Sequence, residues 1–319
     1  MIQMHSKLSE DTMKLSKSEL KLLILLSRRR EVDLMEIRSS LGLIPARISQ
    51  LVSSLRENGL IEDTRHGREK AIAISGSKHA LLFVELTHEF EHMDLPQILS
   101  GSNLEVLSAV SYLHLKSRAE IRERCLVSEA SVARSLSKLR QRGIVSRNSI
   151  YAVSERFSKL REFVMEFRHY LNRRIAGVLS ERAHIVWEAN HEFIIECDEQ
   201  AGSQGFLQTS VSVFGKYGAP FILSKSYLVY SPFLSEVSLE DALLHSLLVG
   251  GDLLPTLITW YKNRGRLNLG YLRGMSIQYG NEGKVDELAN YMETEGANRK
   301  TPLPPWNEFM DKYRGYEKA

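Results

Sequence analysis

Cysteine is nearly absent from this chain. Cys125 and Cys197 are the two that occur, far apart and in apolar-rich stretches. A disulfide framework or a zinc site with Cys-x-x-Cys spacing is therefore excluded, and the expectation is two unrelated, reduced, buried thiols. No apolar run reaches the ~20 residues a membrane-spanning helix requires. The polar start, Met1–Met13, lacks the apolar core of a signal peptide, so a cytoplasmic location without a membrane partner is expected. Catalytic signatures are missing as well. Gly202–Gly205 and Gly280–Gly283 lack the Lys-Ser/Thr of a phosphate loop, and His191-Glu192 is not continued to His-Glu-x-x-His. No Ser/His/Asp arrangement follows from spacing. The expectation is a protein that is not an enzyme and carries no cofactor and no metal.

What the chain does contain is ordinary in bulk and lopsided in charge. With 43% apolar and 25% charged residues over 319 positions, it is long enough for two or three domains with their own cores. The net charge of +3 conceals an asymmetry: residues 1–180 hold 29 Lys+Arg against 21 Asp+Glu, and the remainder holds 13 against 18. A basic first half attracts phosphate and makes binding fall with salt.

That basic half contains a repeat. Met35–Ile61 recurs without a gap eighty-four positions later, at Ala119–Val145. Over Leu34–Ile61 eight residues are identical in the second copy, namely Glu36, Ile37, Arg38, Ala46, Ser53, Leu55, Arg56 and Gly59. Chance gives roughly two. The apolar positions agree too, Leu43 with Val127, Ile48 with Val132 and Val52 with Leu136.

The unit has a readable grammar. A first helix is expected over Lys17–Arg28, from the spacing of Leu20, Leu23, Ile24 and Ser27. A second begins behind Asp33 with Glu36 completing a capping box, and a third runs from Pro45 to the stop at Asn58-Gly59. An apolar strand, Leu60-Ile61, a charged tip at 65–70 and the alternating Ala71–Ile74 complete a winged helix. In the second copy the helices are expected at Asn103–Leu115, Arg118–Leu126 and Ser128–Arg142, and the hairpin at Ile144–Val153. Ser77–Gln97 reads as a helix broken at Asp94-Leu95-Pro96. Glu155–Val178 reads as one long helix, with Phe157, Leu160, Val164, Phe167 and Leu171 at heptad-like steps. It either packs along its own domain or forms a homodimer.

Ile48–Ile61 and Val132–Val145 resemble the recognition helix and wing entry of prokaryotic winged-helix regulators of the MarR and ArsR kind. The resemblance implies that double-stranded DNA is the partner and that the polar pairs Ser49-Gln50 and Ala133-Arg134 face the major groove. From helical periodicity, Arg47, Gln50, Ser53 and Ser54 point away from the apolar face in the first copy, as do Ser131, Arg134, Ser135 and Lys138 in the second. Arg142 and the tips, Arg65, Arg68 and Lys70 in the first wing and Arg147 in the second, complete the expected DNA-binding set. The second wing is shorter than the family pattern.

After Ser180 the pattern changes. Ala183–Asp198 and Phe206–Phe214 read as strands, and Leu239–Val249, Pro255–Asn263, Leu267–Tyr279 and Val285–Glu295 as helices, before a Pro-rich arm and a short helix with Trp306, Phe309 and Tyr313. At strand period Glu192, Glu196, Asn190 and Asp198 share a face, which is either solvated or metal-holding. Phe214–Leu223, Glu240–Leu248 and Pro304–Phe309 are similar to the C-terminal domain of antitoxins from type IV abortive-infection toxin–antitoxin pairs. This resemblance implies an autoregulating antitoxin with a toxin or effector bound at the C-terminal domain. The expected fold is α+β, mostly α: a first winged-helix domain at 1–97, a second at 98–179 and a mixed domain at 180–319. Two other functions stay open, a protein-interaction or effector-sensing module without DNA binding, and an enzyme with its site in 180–319.

Overall fold

The computed structural model describes residues 13–29, 31–66, 69–198 and 205–318. The chain divides into two compact units, Met1–Arg174 and Ile175–Ala319. It is α+β and mostly α, with small antiparallel sheets. Among the described residues no helix is long and apolar enough to cross a membrane.

The first unit opens with α1 (Lys17–Ser27), nucleated by a capping box in which the Ser16 and Glu19 side chains each accept the other's backbone N–H. β1 (Val32–Asp33) leads into α2 (Leu34–Leu41), where Asp33 Oδ1 accepts from Glu36 N at 2.7 Å. The Glu36 carboxylate pairs with Arg29 at 3.3 Å rather than returning to the cap. α3 (Pro45–Glu57) starts on its proline and buries Ile48, Leu51, Val52 and Leu55, the face that periodicity assigned. It stops at Gly59, whose φ of +65° suits glycine. β2 (Ile61–His66) and β3 (Glu69–Ile74) form the wing, and β1 adds to the free edge of β3 in the order β1-β3-β2. The strands run further than hydrophobicity indicates, pairing Arg65 with Lys70 and His66 with Glu69. Backbone pairing in an outlying two-stranded ribbon does not require apolar side chains. Arg68 lies outside the described residues. α4 (Lys78–Glu89) and α5 (Leu95–Leu99) follow.

The second copy repeats this order: α6 (Ser102–Tyr112), α7 (Arg118–Glu123), α8 (Glu129–Gln141) and the hairpin of β4 (Val145–Arg147) and β5 (Tyr151–Val153). A 3-10 turn, Glu155–Phe157, then enters α9 (Ser158–Leu179). Equivalent bonds recur. Ser117 Oγ caps Glu120 N at 3.1 Å as Asp33 caps Glu36. Gly143 takes a φ of +64° as Gly59 takes +65°.

The repeat extends past the wing, into sequence that shows little identity. Ser77 Oγ donates to the Gly59 carbonyl at 2.7 Å, and Ser154 Oγ to the Gly143 carbonyl at 2.8 Å. Two residues later, His79 Nε2 lies 2.9 Å from the Asn58 carbonyl and Arg156 Nη2 lies 3.2 Å from that of Arg142. So α4 is the fourth helix of the first copy, and the 3-10 turn with α9 is that of the second. The second copy is seven residues shorter between its glycine and this helix, which hides the match from an ungapped alignment.

These two fourth helices pack on each other. His79 stacks on Phe167, Phe83 meets Phe163 edge-on, and Phe90 stacks on Phe157, with centroids 5.4, 5.5 and 5.4 Å apart. Ion pairs Lys78–Glu166 (2.5 Å) and Lys159–Glu85 (2.7 Å) flank the seam. The heptad-like stripe of α9 is therefore buried inside its own chain: Phe157, Leu160, Val164, Phe167 and Leu171 are at most 6% exposed. Of the two readings of residues 155–178, the structure shows the helix packed along its own chain, with this apolar stripe covered.

A buried ion pair closes the unit. Glu105 and Arg168 are both inaccessible, 3.4 Å apart. Glu105 also accepts from Met13 N at 3.1 Å and Leu126 N at 3.0 Å, which ties four segments together. Beside it, burial pushes the Cys125 thiol well above its usual range.

Among the described residues, the second unit pairs a four-stranded antiparallel sheet with five α-helices. β6 (His184–Ala189), β7 (Glu192–Cys197), β8 (Phe206–Gln208) and β9 (Ser226–Tyr230) lie in the order β6-β7-β9-β8. Ala183–Asp198 is thus a tight hairpin and not one strand, because Asn190 turns the chain with a φ of +58°. Ser210–Tyr217 is a 3-10 helix where β-branched residues indicated a strand, with Tyr217 Oη anchored to the Val237 carbonyl at 2.7 Å. α10 (Leu239–Val249), α11 (Leu254–Asn263), α12 (Leu269–Gln278), α13 (Glu282–Glu293) and α14 (Trp306–Lys318) follow closely the sequence reading. Their core holds Phe214, Leu243, Trp260, Tyr291 and Phe309.

Candidate nucleic-acid interface

α3 and α8 each present a polar face. On α3, Arg47, Ser49, Gln50 and Ser53 are exposed. Arg47 Nη1 donates to Gln50 Oε1 at 3.0 Å, so the two form one polar group at the start of the helix. Ser53 Oγ turns along the helix to Glu57 Oε1 at 3.0 Å. Ser54 does not belong to this surface: its Oγ donates inward to Glu19 Oε1 at 2.5 Å, and so locks α3 to α1. Residues Arg65 and Lys70 sit opposite each other on the wing ribbon, with side chains outside the described set.

On α8, Arg134 and Lys138 are exposed. Arg134 folds back on its own helix, Nε donating to the Ala130 carbonyl at 3.2 Å and Nη2 lying 3.4 Å from Ser131 Oγ. Ser131 is half-buried in the N-cap, where Ser128 Oγ donates to it at 3.0 Å. Two expected residues face inward. Ser135 is 2% exposed and hydrogen-bonds Ser102 Oγ at 2.9 Å. Periodicity misplaced it because small polar residues pack at helix crossings as readily as they meet solvent. Arg142 donates to Gln97 Oε1 and is half-buried, which fixes the end of α8 to α5.

The structure sets Arg118 and Arg140, which the expected set lacks, beside Arg147, which it includes. A groove of about 920 Å³ runs between α8 and the second wing, and its walls include Arg118, Arg140 and Arg147. All three are exposed, and among the described residues lining the groove there is no carboxylate. Arg147 leans over the Tyr151 ring at 5.2 Å, which holds the guanidinium at the wing base. The first copy differs at the same place. Arg56, which matches Arg140, is paired at 2.5 Å with Asp63, which occupies the position of Arg147. One copy neutralises its groove internally and the other leaves two arginines free of that partner. The repeat identity Arg56/Arg140 was the available signal, but only the Asp63/Arg147 exchange gives it meaning.

The second unit holds the carboxylates that sequence placed on one strand face. Glu192 is 2% exposed and accepts from Ser231 Oγ at 2.8 Å and Tyr279 Oη at 2.9 Å. Glu196 pairs with Lys225, whose bond holds its carboxyl below the usual range. Glu192 and Glu196 keep one face of β7, but Asn190 lies in the turn before the strand and Asp198 beyond its end, and among the described residues no three His, Cys, Asp or Glu side chains converge. His245 is buried against Thr209 Oγ1 at 2.6 Å, and burial lowers its pKa. No family model matches this chain, and no curated protein or solved structure matches it.

Proposed function

We propose that the first unit binds double-stranded DNA sequence-selectively, as a transcriptional regulator does. The observation that carries this reading is the groove of the second copy, where Arg118, Arg140 and Arg147 line a concave surface without a carboxylate, beside the exposed Arg134 and Lys138 of α8. Guanidinium groups match phosphate geometry and repel one another when left together, so a cluster of this kind favours an anionic partner. The exposed face of α8 next to it supplies base-edge chemistry through Arg134, which suits guanine. The chain's charge asymmetry points the same way.

Fluorescence anisotropy with genomic fragments, at about 50 and about 200 mM salt, tests the reading. The expected result is that some fragments bind more tightly than random duplex and that all affinities fall with salt. Equal affinity for every fragment, or none for any, removes the regulator reading and leaves the interaction module.

A further inference from the structure

The two winged helices are joined through equivalent faces of equivalent helices. α4 and α9 run in opposite directions along their seam: from His79 through Phe83 to Phe90, the partners are Phe167, Phe163 and Phe157. In the repeat, Phe83 matches Leu160, Leu86 matches Phe163 and Phe90 matches Phe167. Phe83 touches Phe163, and reciprocally Leu86 and Leu160 face one apolar point together with Phe90 and Phe157. When residue i of one copy meets j of the other, and j of the first meets i of the second, the contact is isologous and the operator is an approximate twofold.

The relation extends to the recognition helices. Each is tied at its C-terminal end to its own fourth helix by the same two bonds, from Ser77 and His79 in one copy and from Ser154 and Arg156 in the other. Each of these helices is also met near its end by a residue of the other copy. Arg174 Nη1 donates to the Glu57 carbonyl at 2.6 Å, at the end of α3. Gln97 on α5 meets Arg142 at the end of α8. Each copy therefore braces the C-terminal end of the other's recognition helix.

We infer that a single chain is a covalent pseudodimer that binds one inverted repeat, with α3 and α8 on two half-sites of different sequence. The inference rests on the DNA-binding reading. Duplex DNA is twofold symmetric in its backbone, so a twofold pair of recognition helices fits half-sites in inverted orientation, about one helical turn apart or a multiple of it. The half-sites differ because the helices do: Arg47, Ser49, Gln50 and Ser53 on α3 match Ser131, Ala133, Arg134 and Ser137 on α8. Gln50 suits adenine and Arg134 suits guanine.

The test is selection of the full-length chain on a randomised double-stranded DNA library, followed by native mass spectrometry on the recovered duplex. The expected site has two inverted, unlike halves and takes one chain. Gln50→Ala relaxes base preference in one half and Arg134→Ala in the other, each weakening binding by about 5- to 150-fold. Both side chains are exposed, and unchanged thermal melts show that the variants fold. Two chains per site, a direct repeat, or both variants relaxing the same half overturns the pseudodimer while the DNA reading stands. Recovery of no sequence above random removes both.

Discussion

Three glycines of the first unit share a left-handed backbone but not a setting. At Gly42 (φ +62°) an added Cβ meets nothing within 4 Å, whereas at Gly59 it overlaps the Tyr170 ring and at Gly143 the far end of the Arg156 side chain. Gly42→Ala is expected to cost only the left-handed conformation, about 1 kcal/mol. Gly59→Ala adds overpacking against an aromatic ring, for roughly 2–4 kcal/mol in total. Gly143→Ala falls between them. Urea midpoints of the three variants give this ranking, and equal losses would show that Tyr170 yields freely. The Glu105–Arg168 pair makes a larger demand. Arg168→Met leaves an uncompensated buried carboxylate and is expected to destabilise by about 3–5 kcal/mol, read from the same denaturation curves. Two histidines make stability depend on acid. His79 and His245 are buried, and burial lowers both pKa values from the ordinary 6.5. The unfolded chain then binds protons that the folded one refuses. Stability contributed by the neutral rings is complete above pH 6.5 and is lost as pH falls through the lowered folded values. The urea midpoint is expected to drop between about pH 7.5 and about pH 5.5, and to drop less in a His79→Gln, His245→Gln double variant.

Among the elements, the groove between α8 and the second wing yields the sharpest expectation. Replacing Arg118, Arg140 and Arg147 by Ala removes up to three cations that would neutralise phosphates. The slope of log affinity against log salt then shrinks by about one unit for each phosphate no longer neutralised. Arg56→Ala leaves the slope nearly unchanged, since Asp63 already holds that guanidinium. A slope indifferent to the triple change would move DNA away from this groove. Most helices and both wings were legible in the sequence because caps, stops and apolar spacing are local signals: Asp33, Pro45 and Gly59 each act within a few residues. What stayed hidden depends on distant partners. Ser54 and Ser135 look solvent-facing until Glu19 and Ser102 arrive from other helices. The stripe on α9 is as suitable for a second chain as for α4, and only the fold decides. The hairpin at Asn190 was missed because both its arms are apolar, so hydrophobicity gives no sign of the reversal.

For the molecule as a whole, the division at residues 174 and 175 falls within one helix, so α9 contributes Phe167 and Leu171 to the first core and Ala176 to the sheet of the second unit. The basic excess belongs to the first unit and the acidic excess to the second.

The covalent joining of the two copies has a consequence for dosage. A regulator assembled from two chains loses its second reading head on dilution, and its occupancy of a site then varies with the square of its concentration. On the pseudodimer reading the two heads share one backbone, so each stands at a fixed, high effective concentration relative to the other whatever the cellular supply. Occupancy should rise in simple proportion to the number of molecules, which suits a protein kept at a few copies. On the same reading mutation is freed as well: a change in α3 would alter one half of the site alone, whereas in a homodimer every change is made twice.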